Sequence, residues 1–221
     1  MAFEDGGGAT GSVTAAGIVL CGGRSTRMGS PKALLPFGAE TMLQRVVRLL
    51  GTVASPLVVV AAHGQPLPGL PGSVSVALDE QEGRGPLEGL RAGLKALPGD
   101  VEIAYVTSCD VPLLVPSFVR RMVELLGNHD IAVVEIDGFP HPLSAVYRRR
   151  TLPHIESLLA ANRLRPVFLF DAVRTRRVQA AELASVDPRL LTLRNLNTRQ
   201  DYLDALSSAG LDPPSRSPAD G

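Results

Sequence analysis

Residues 17–35 read Gly17-Ile18-Val19-Leu20-Cys21-Gly22-Gly23-Arg24-Ser25-Thr26-Arg27-Met28-Gly29-Ser30-Pro31-Lys32-Ala33-Leu34-Leu35. The first four are an uncharged apolar run with branched side chains, the pattern of a buried strand. Paired glycines follow, allowing positive φ and letting the backbone come close to a ligand. Arg24, Ser25, Thr26, Arg27 and Lys32 then place three cations and two hydroxyls within nine residues. A strand that ends in a glycine-rich, cationic loop suits a polyphosphate: backbone amides supply oriented donors and the cations neutralise charge. An incidental glycine-rich surface turn is the ordinary alternative.

Two familiar phosphate loops are excluded. Walker A needs G-x-x-x-x-G-K-[ST], but Gly23 and Gly29 bracket five residues and Lys32 stands three beyond. The dinucleotide fingerprint G-x-G-x-x-G fails because the first two glycines are adjacent.

Working outward, strand and helix signals alternate along the chain. Thr41 precedes an amphipathic helical pattern over 42–50, stopped by Gly51. Residues 57–62 form a continuous apolar run, as a central parallel strand does. Strands are expected at 74–78, 101–107, 131–135 and 143–147, with a late one at 177–180. Helices are expected at 86–97, with Pro86 in its first turn, at 116–126, near 150–161 and at 199–208. This order predicts a single α/β domain, a doubly wound, Rossmann-like, mostly parallel sheet with helices on both faces. Residues 1–14 read as a disordered leader, 15–208 as the domain, and 209–221, rich in Pro, Ser and Asp, as a flexible tail.

Composition narrows the function classes. The 221 residues are 45% hydrophobic, enough for a sizeable core. Lys+Arg and Asp+Glu both number 22, so the net charge is zero and no broad basic field exists for nucleic acid. Cys21 and Cys109 form neither a disulfide framework nor a zinc spacing, and each reads as a small buried residue at a strand end rather than a nucleophile. The acidic N-terminus is unlike a signal peptide, and no apolar run approaches the ~20 residues that span a bilayer. A cytoplasmic protein without membrane attachment is expected.

Ligands of open α/β sheets bind at the carboxyl ends of strands. There the run Tyr105-Val106-Thr107-Ser108-Cys109-Asp110-Val111-Pro112 delivers Asp110. A carboxylate facing a triphosphate suits Mg²⁺, which takes few protein oxygens and binds phosphate oxygens besides. Asp79 likewise follows a strand, and either accepts from the adjacent N–H donors of a guanine edge or is a plain turn acid. Gly85, Gly89 and Gly93 recur every fourth residue, leaving one helix face open to a ligand or to another backbone.

With these residues in view, Leu20–Leu35 resembles the signature loop of the molybdenum cofactor nucleotidyltransferases, in particular the MobA-like guanylyltransferases. Gly85-Pro86-Leu87-Glu88-Gly89, Cys109-Asp110-Val111-Pro112 and Asn195-Leu196-Asn197-Thr198 agree in the expected order, and His141-Pro142 precedes a matching strand. The resemblance covers about residues 15–207. It implies transfer of GMP from Mg·GTP to the terminal phosphate of molybdopterin, with release of pyrophosphate. It implies main-chain nucleotide contacts from Leu20, Cys21, Gly22 and Gly23, a nucleotide contact from Lys32, and Arg27 on the triphosphate and the leaving pyrophosphate. Asp110 would hold Mg²⁺, Asp79 would meet the guanine, and Asn195 and Asn197 would lie on the pterin side. A molybdoenzyme or molybdenum-insertion protein is a further implied partner.

The chain departs from the pattern at two places. Pro31 stands where guanylyltransferases often carry Asp, and Val60-Ala61-Ala62-His63 lacks an Asn used on the nucleotide. Both bear on guanine against cytosine, and a CTP-using cytidylyltransferase is one alternative. A sugar-phosphate nucleotidyltransferase shares the loop and is another. A non-catalytic nucleotide or cofactor carrier belongs to a different class. Arg163 and Arg165 read either as a grip on the cofactor phosphate or as a solvated helix end.

Overall fold

The computed structural model of the protein describes residues 15–22, 31–81 and 83–213. Its centre is a seven-stranded sheet. The strands, in chain order, are β1 (Ala16–Leu20), β4 (Leu57–Ala61), β5 (Val74–Leu78), β6 (Ile103–Ser108), β7 (Ile131–Ile136), β8 (Phe139–Arg148) and β9 (Thr175–Gln179). A separate two-stranded hairpin supplies β2 (Pro36–Phe37) and β3 (Glu40–Thr41). Across the large sheet the order is β5-β4-β1-β6-β8-β7-β9, and only β8 runs against the others. The expected doubly wound, mostly parallel sheet is therefore present, with one reversed strand.

Period-two alternation distributes β1 to both sides of the sheet. Val19 packs with α1 (Met42–Gly51) and α3 (Pro116–Leu126), while Ile18 and Leu20 pack with α2 (Pro86–Ala96), α4 (Leu152–Ala160) and α5 (Val167–Ala172). Helix α1 starts as its sequence predicts: Thr41 Oγ1 accepts from the Gln44 amide, and the Gln44 side chain accepts from the Thr41 amide. Gly93 answers for part of the glycine stripe on α2. A Cβ there would sit 2.6 Å from Ile18 Cγ2, so that face is filled by side chains of β1 rather than left for a ligand.

Some boundaries differ from expectation. The strand expected at 143–147 begins at Phe139, because residues 139–141 pair back onto residues 134–136 of β7 as a hairpin. Helix α5 has only six residues, too few for a readable period, and lies outside the helices expected from sequence. Helix α6 (Arg199–Ser208) packs Tyr202, Ala205 and Leu206 against Phe37 and Met42 in a small third core. Packing also continues past it: Leu211 lies against Gly38, and its amide donates to the Leu206 carbonyl. No helix among the described residues is long and apolar enough to cross a membrane.

Candidate active site

Register aligns the chemistry. Leu20 pairs with Ser108, so β1 and β6 end together and release Cys21 and Cys109 at the same edge. The Cys109 amide donates to the Leu20 carbonyl at 3.0 Å, and the Cys21 amide to Val60 at 2.8 Å. The Asp79 amide, just past β5, donates to the Ala61 carbonyl at 3.0 Å. Four parallel strands thus finish on one line, the edge where open α/β sheets bind ligands.

Lys32 is the hub at that edge. Pro31 leads into a short 3-10 turn over Lys32–Leu34, which carries Nζ within 2.7 Å of Asp110 Oδ2 and 2.9 Å of Asn197 Oδ1. The Lys32 and Asp110 side chains are 17% and 13% exposed. The second Asp110 oxygen accepts from Ser108 Oγ at 2.5 Å. The Asp110 carbonyl meanwhile accepts from the Leu196 amide, which pins the 195–198 segment beside it. Leu196 is buried, while Asn195 and Asn197 on either side of it are exposed. The segment also caps a helix: Thr198 and Asp201 form a reciprocal cap on α6. The same four residues therefore start a helix and present Asn197 to Lys32.

Asp79 lies across the second half of the site. A Cβ at Gly22 would come 3.1 Å from Asp79 Oδ2, and one at Gly89 would come 3.4 Å from Oδ1. The carboxylate is thus held between the loop after β1 and the first turns of α2, and any side chain at Gly22 would crowd it. Gly22 is exposed, whereas Leu20 and Cys21 are buried with their carbonyls engaged. Gly23, Arg24, Ser25, Thr26 and Arg27 lie outside the described residues.

Three contributors escape a reading of sequence alone. Ser108 is one, although a hydroxyl two residues before a strand-end acid is the available signal. Gln65 is another: its side chain donates to the Cys21 carbonyl at 2.9 Å and accepts from Ala62 at 3.0 Å, bracing the loop. Glu88 is the third. It is 1% exposed and pairs with Arg91 at 2.5 Å, and Arg91 also holds Glu80 at 2.8 Å, next to Asp79.

The cysteines behave as small buried residues. They are free, and a thiol contact with Cys109 together with burial pushes the Cys21 thiol well above its ordinary range, which disfavours a nucleophilic thiolate. Arg163 stacks on the Phe168 ring at 4.1 Å. Among the described residues no group of three His, Cys, Asp or Glu side chains could hold a metal by itself. One carboxylate with a hydroxyl behind it fits Mg²⁺, whose remaining positions are taken by phosphate oxygens and water, and does not fit a caged transition metal.

Comparison with known proteins agrees with this architecture. The Mycobacterium ulcerans protein called probable molybdenum cofactor guanylyltransferase is 36% identical over 194 residues, 86% of this chain and 92% of that protein. Its Mycobacterium tuberculosis counterpart is 38% identical over 175 residues, 77% of this chain and 86% of that protein. In fold, the chain is similar to the molybdopterin-guanine dinucleotide biosynthesis protein A of Archaeoglobus fulgidus (TM-score 0.72, 17% identity, 88% of this chain and 98% of that one). It is also similar to the 2-C-methyl-D-erythritol 4-phosphate cytidylyltransferase of Thermus thermophilus (TM-score 0.65, 17% identity, 90% and 100%). The family described as the MobA-like NTP transferase domain matches residues 17–178, and the chain belongs to it.

Proposed function

We propose that this protein transfers GMP from Mg·GTP to the terminal phosphate of molybdopterin and releases pyrophosphate. The observation that carries the reading is the meeting of Lys32, Asp110 and Asn197 at the strand ends, beside Asp79 and Gly22. The names of the mycobacterial relatives support guanylyl transfer in particular.

The chemistry asks little of a general base. The attacking phosphate oxygen is already anionic, so the protein's task is to align two anions and stabilise charge in flight. Asp110 would hold Mg²⁺, oriented by Ser108, and the ion when bound would neutralise the triphosphate. Lys32 brings a fixed cation to the α-phosphate region, and Arg27 is assigned to the β- and γ-phosphates that leave. Asp79 presents two acceptor oxygens, matching the adjacent N1–H and N2–H donors of guanine. Gly22 leaves room for the nucleotide to approach, and Leu20, Cys21 and Gly23 are assigned main-chain contacts with it. Asn195 and Asn197 stand on the acceptor side. With small, charged, soluble substrates, we place the reaction in the cytoplasm.

The test is Mg²⁺-dependent pyrophosphate release from GTP and molybdopterin. Asp110→Ala is expected to abolish turnover while circular dichroism stays native; full activity in that variant would refute the metal assignment. Pro31 and Ala62, where guanylyltransferases often differ, keep a CTP-using reading in play. Calorimetry with GTP, CTP and ATP decides it: tight binding of CTP alone replaces guanylyl with cytidylyl transfer.

A further inference from the structure

We infer that the hairpin between β7 and β8 carries a stacking platform, Phe139, for the flat heteroaromatic ring of the acceptor. This rests on the pterin acceptor proposed above and names the part of the protein that reads it.

Strand direction brings the hairpin to the site. Because β8 is antiparallel to both neighbours, β7 runs parallel to β6 and ends at the same edge. Val106 of β6 and Val133 of β7 both pair with Ala145, so they are level across the sheet. Past the last β6–β8 pair, Ile136 pairs with Phe139 at the tip of the hairpin, at the same end of the sheet as Cys109 and Asp110.

The hairpin is also shaped to hold this position. The register jumps between Val133 and Val134, so that Val134 faces His141 and residues 142–144 bulge beside the end of β6. Such irregularities re-aim strands at the rims of sites. The tip is a two-residue Asp137-Gly138 connection with φ of 51° and 79°, the tight turn that matches strand twist. Phe139 therefore sits on a short, well-defined support.

Its exposure is the unexplained fact. Phe139 is 73% exposed, whereas Phe37, Phe118, Tyr105 and Tyr147 are fully buried. Among the described residues it is the one aromatic side chain classed as exposed. A protein partner would call for a broad apolar patch, yet the adjoining Asp137 and Gly138 are exposed and not hydrophobic. The other exposed large hydrophobics, Val76 and Leu78, lie on β5 at the far edge of the sheet. One ring face beside a phosphoryl-transfer edge suits one planar ligand ring.

The chain contains no tryptophan, so Phe139→Trp creates a single tryptophan at the tip, excited selectively near its red edge. Anaerobic titration with molybdopterin is expected to quench it saturably, and GTP alone is expected to leave it unchanged. Phe139→Ala is expected to raise the acceptor KM about three- to ten-fold at unchanged kcat and unchanged GTP affinity by calorimetry. An unaltered acceptor KM, a flat titration, or an equal loss of GTP affinity would each overturn the subsite. Failure of the underlying reading looks different: the unchanged protein would neither bind GTP nor release pyrophosphate.

Discussion

Lys32 and Asp110 lie 78 residues apart in sequence and 2.7 Å apart in space, and a double-mutant cycle can weigh the pair. At that distance and an effective dielectric of about 20, the gross attraction is ~6 kcal/mol. Both side chains are mostly buried, so desolvation offsets much of it. A hydrogen bond between charged groups typically retains about 1.5–3 kcal/mol. We therefore expect Lys32→Met and Asp110→Asn each to destabilise the protein. Their double variant should fall short of additivity by about 2 kcal/mol, measured as urea unfolding free energies without ligand. Activity should behave differently. Lys32→Met is expected to lose on the order of 10²–10³ in kcat, the usual cost of removing one preorganised electrostatic contact, and the double variant should be little worse than the poorer single one. A coupling below about 0.5 kcal/mol would mean that the two groups act independently, and the account of Lys32 as the hub would fail.

Two further outcomes follow from buried charge. Arg91→Met strands Glu88, so a loss of about 3 kcal/mol is expected, while Glu88→Met combined with Arg91→Met should recover most of it in calorimetric melting; an unrecovered double variant would contradict the clamp. Burial holds the His141 pKa below its ordinary value, so the unfolded chain binds the proton more readily and stability should fall as pH drops from about 7 to 5. His141→Gln is expected to flatten that part of the urea-midpoint profile, and an unchanged slope would refute the assignment.

Much of this was legible because local pattern and global role coincide. The apolar run at 17–20, the cap at Thr41 and the Pro-led α2 each carry their structural reason within a few residues. Strand direction does not: nothing in Leu143–Tyr147 says that it runs against β6, since that choice depends on which neighbour it meets. Hairpin β2–β3 has two residues per strand, below any readable period. Asp110 is singled out by its place after a strand, and Lys32 and Asn197 by the family resemblance, but that the three side chains meet shows only once segments 78 and 165 residues apart are aligned. Glu88 enters from sequence only within the Gly85–Gly89 block, and its burial against Arg91 shows only in the fold. The glycine stripe at Gly85, Gly89 and Gly93 reads in sequence as open to a ligand or another backbone; in the fold Gly93 is covered by side chains of β1 and β4, and Gly89 lies between Leu20 and Asp79.

The hydrogen bond between Lys32 and Asn197 spans 165 residues. Bringing the ends of so long a segment together costs about 4.5 kcal/mol beyond a constant, more than one such bond returns. The sheet must therefore draw the ends together first. All seven strands of the large sheet precede Asn197 in the chain, so on a ribosome they are made before the lysine has an asparagine to meet. The contact between Lys32 and Asn197 is thus made after the strands it depends on, and a chain cut short before α6 would keep its strands without it.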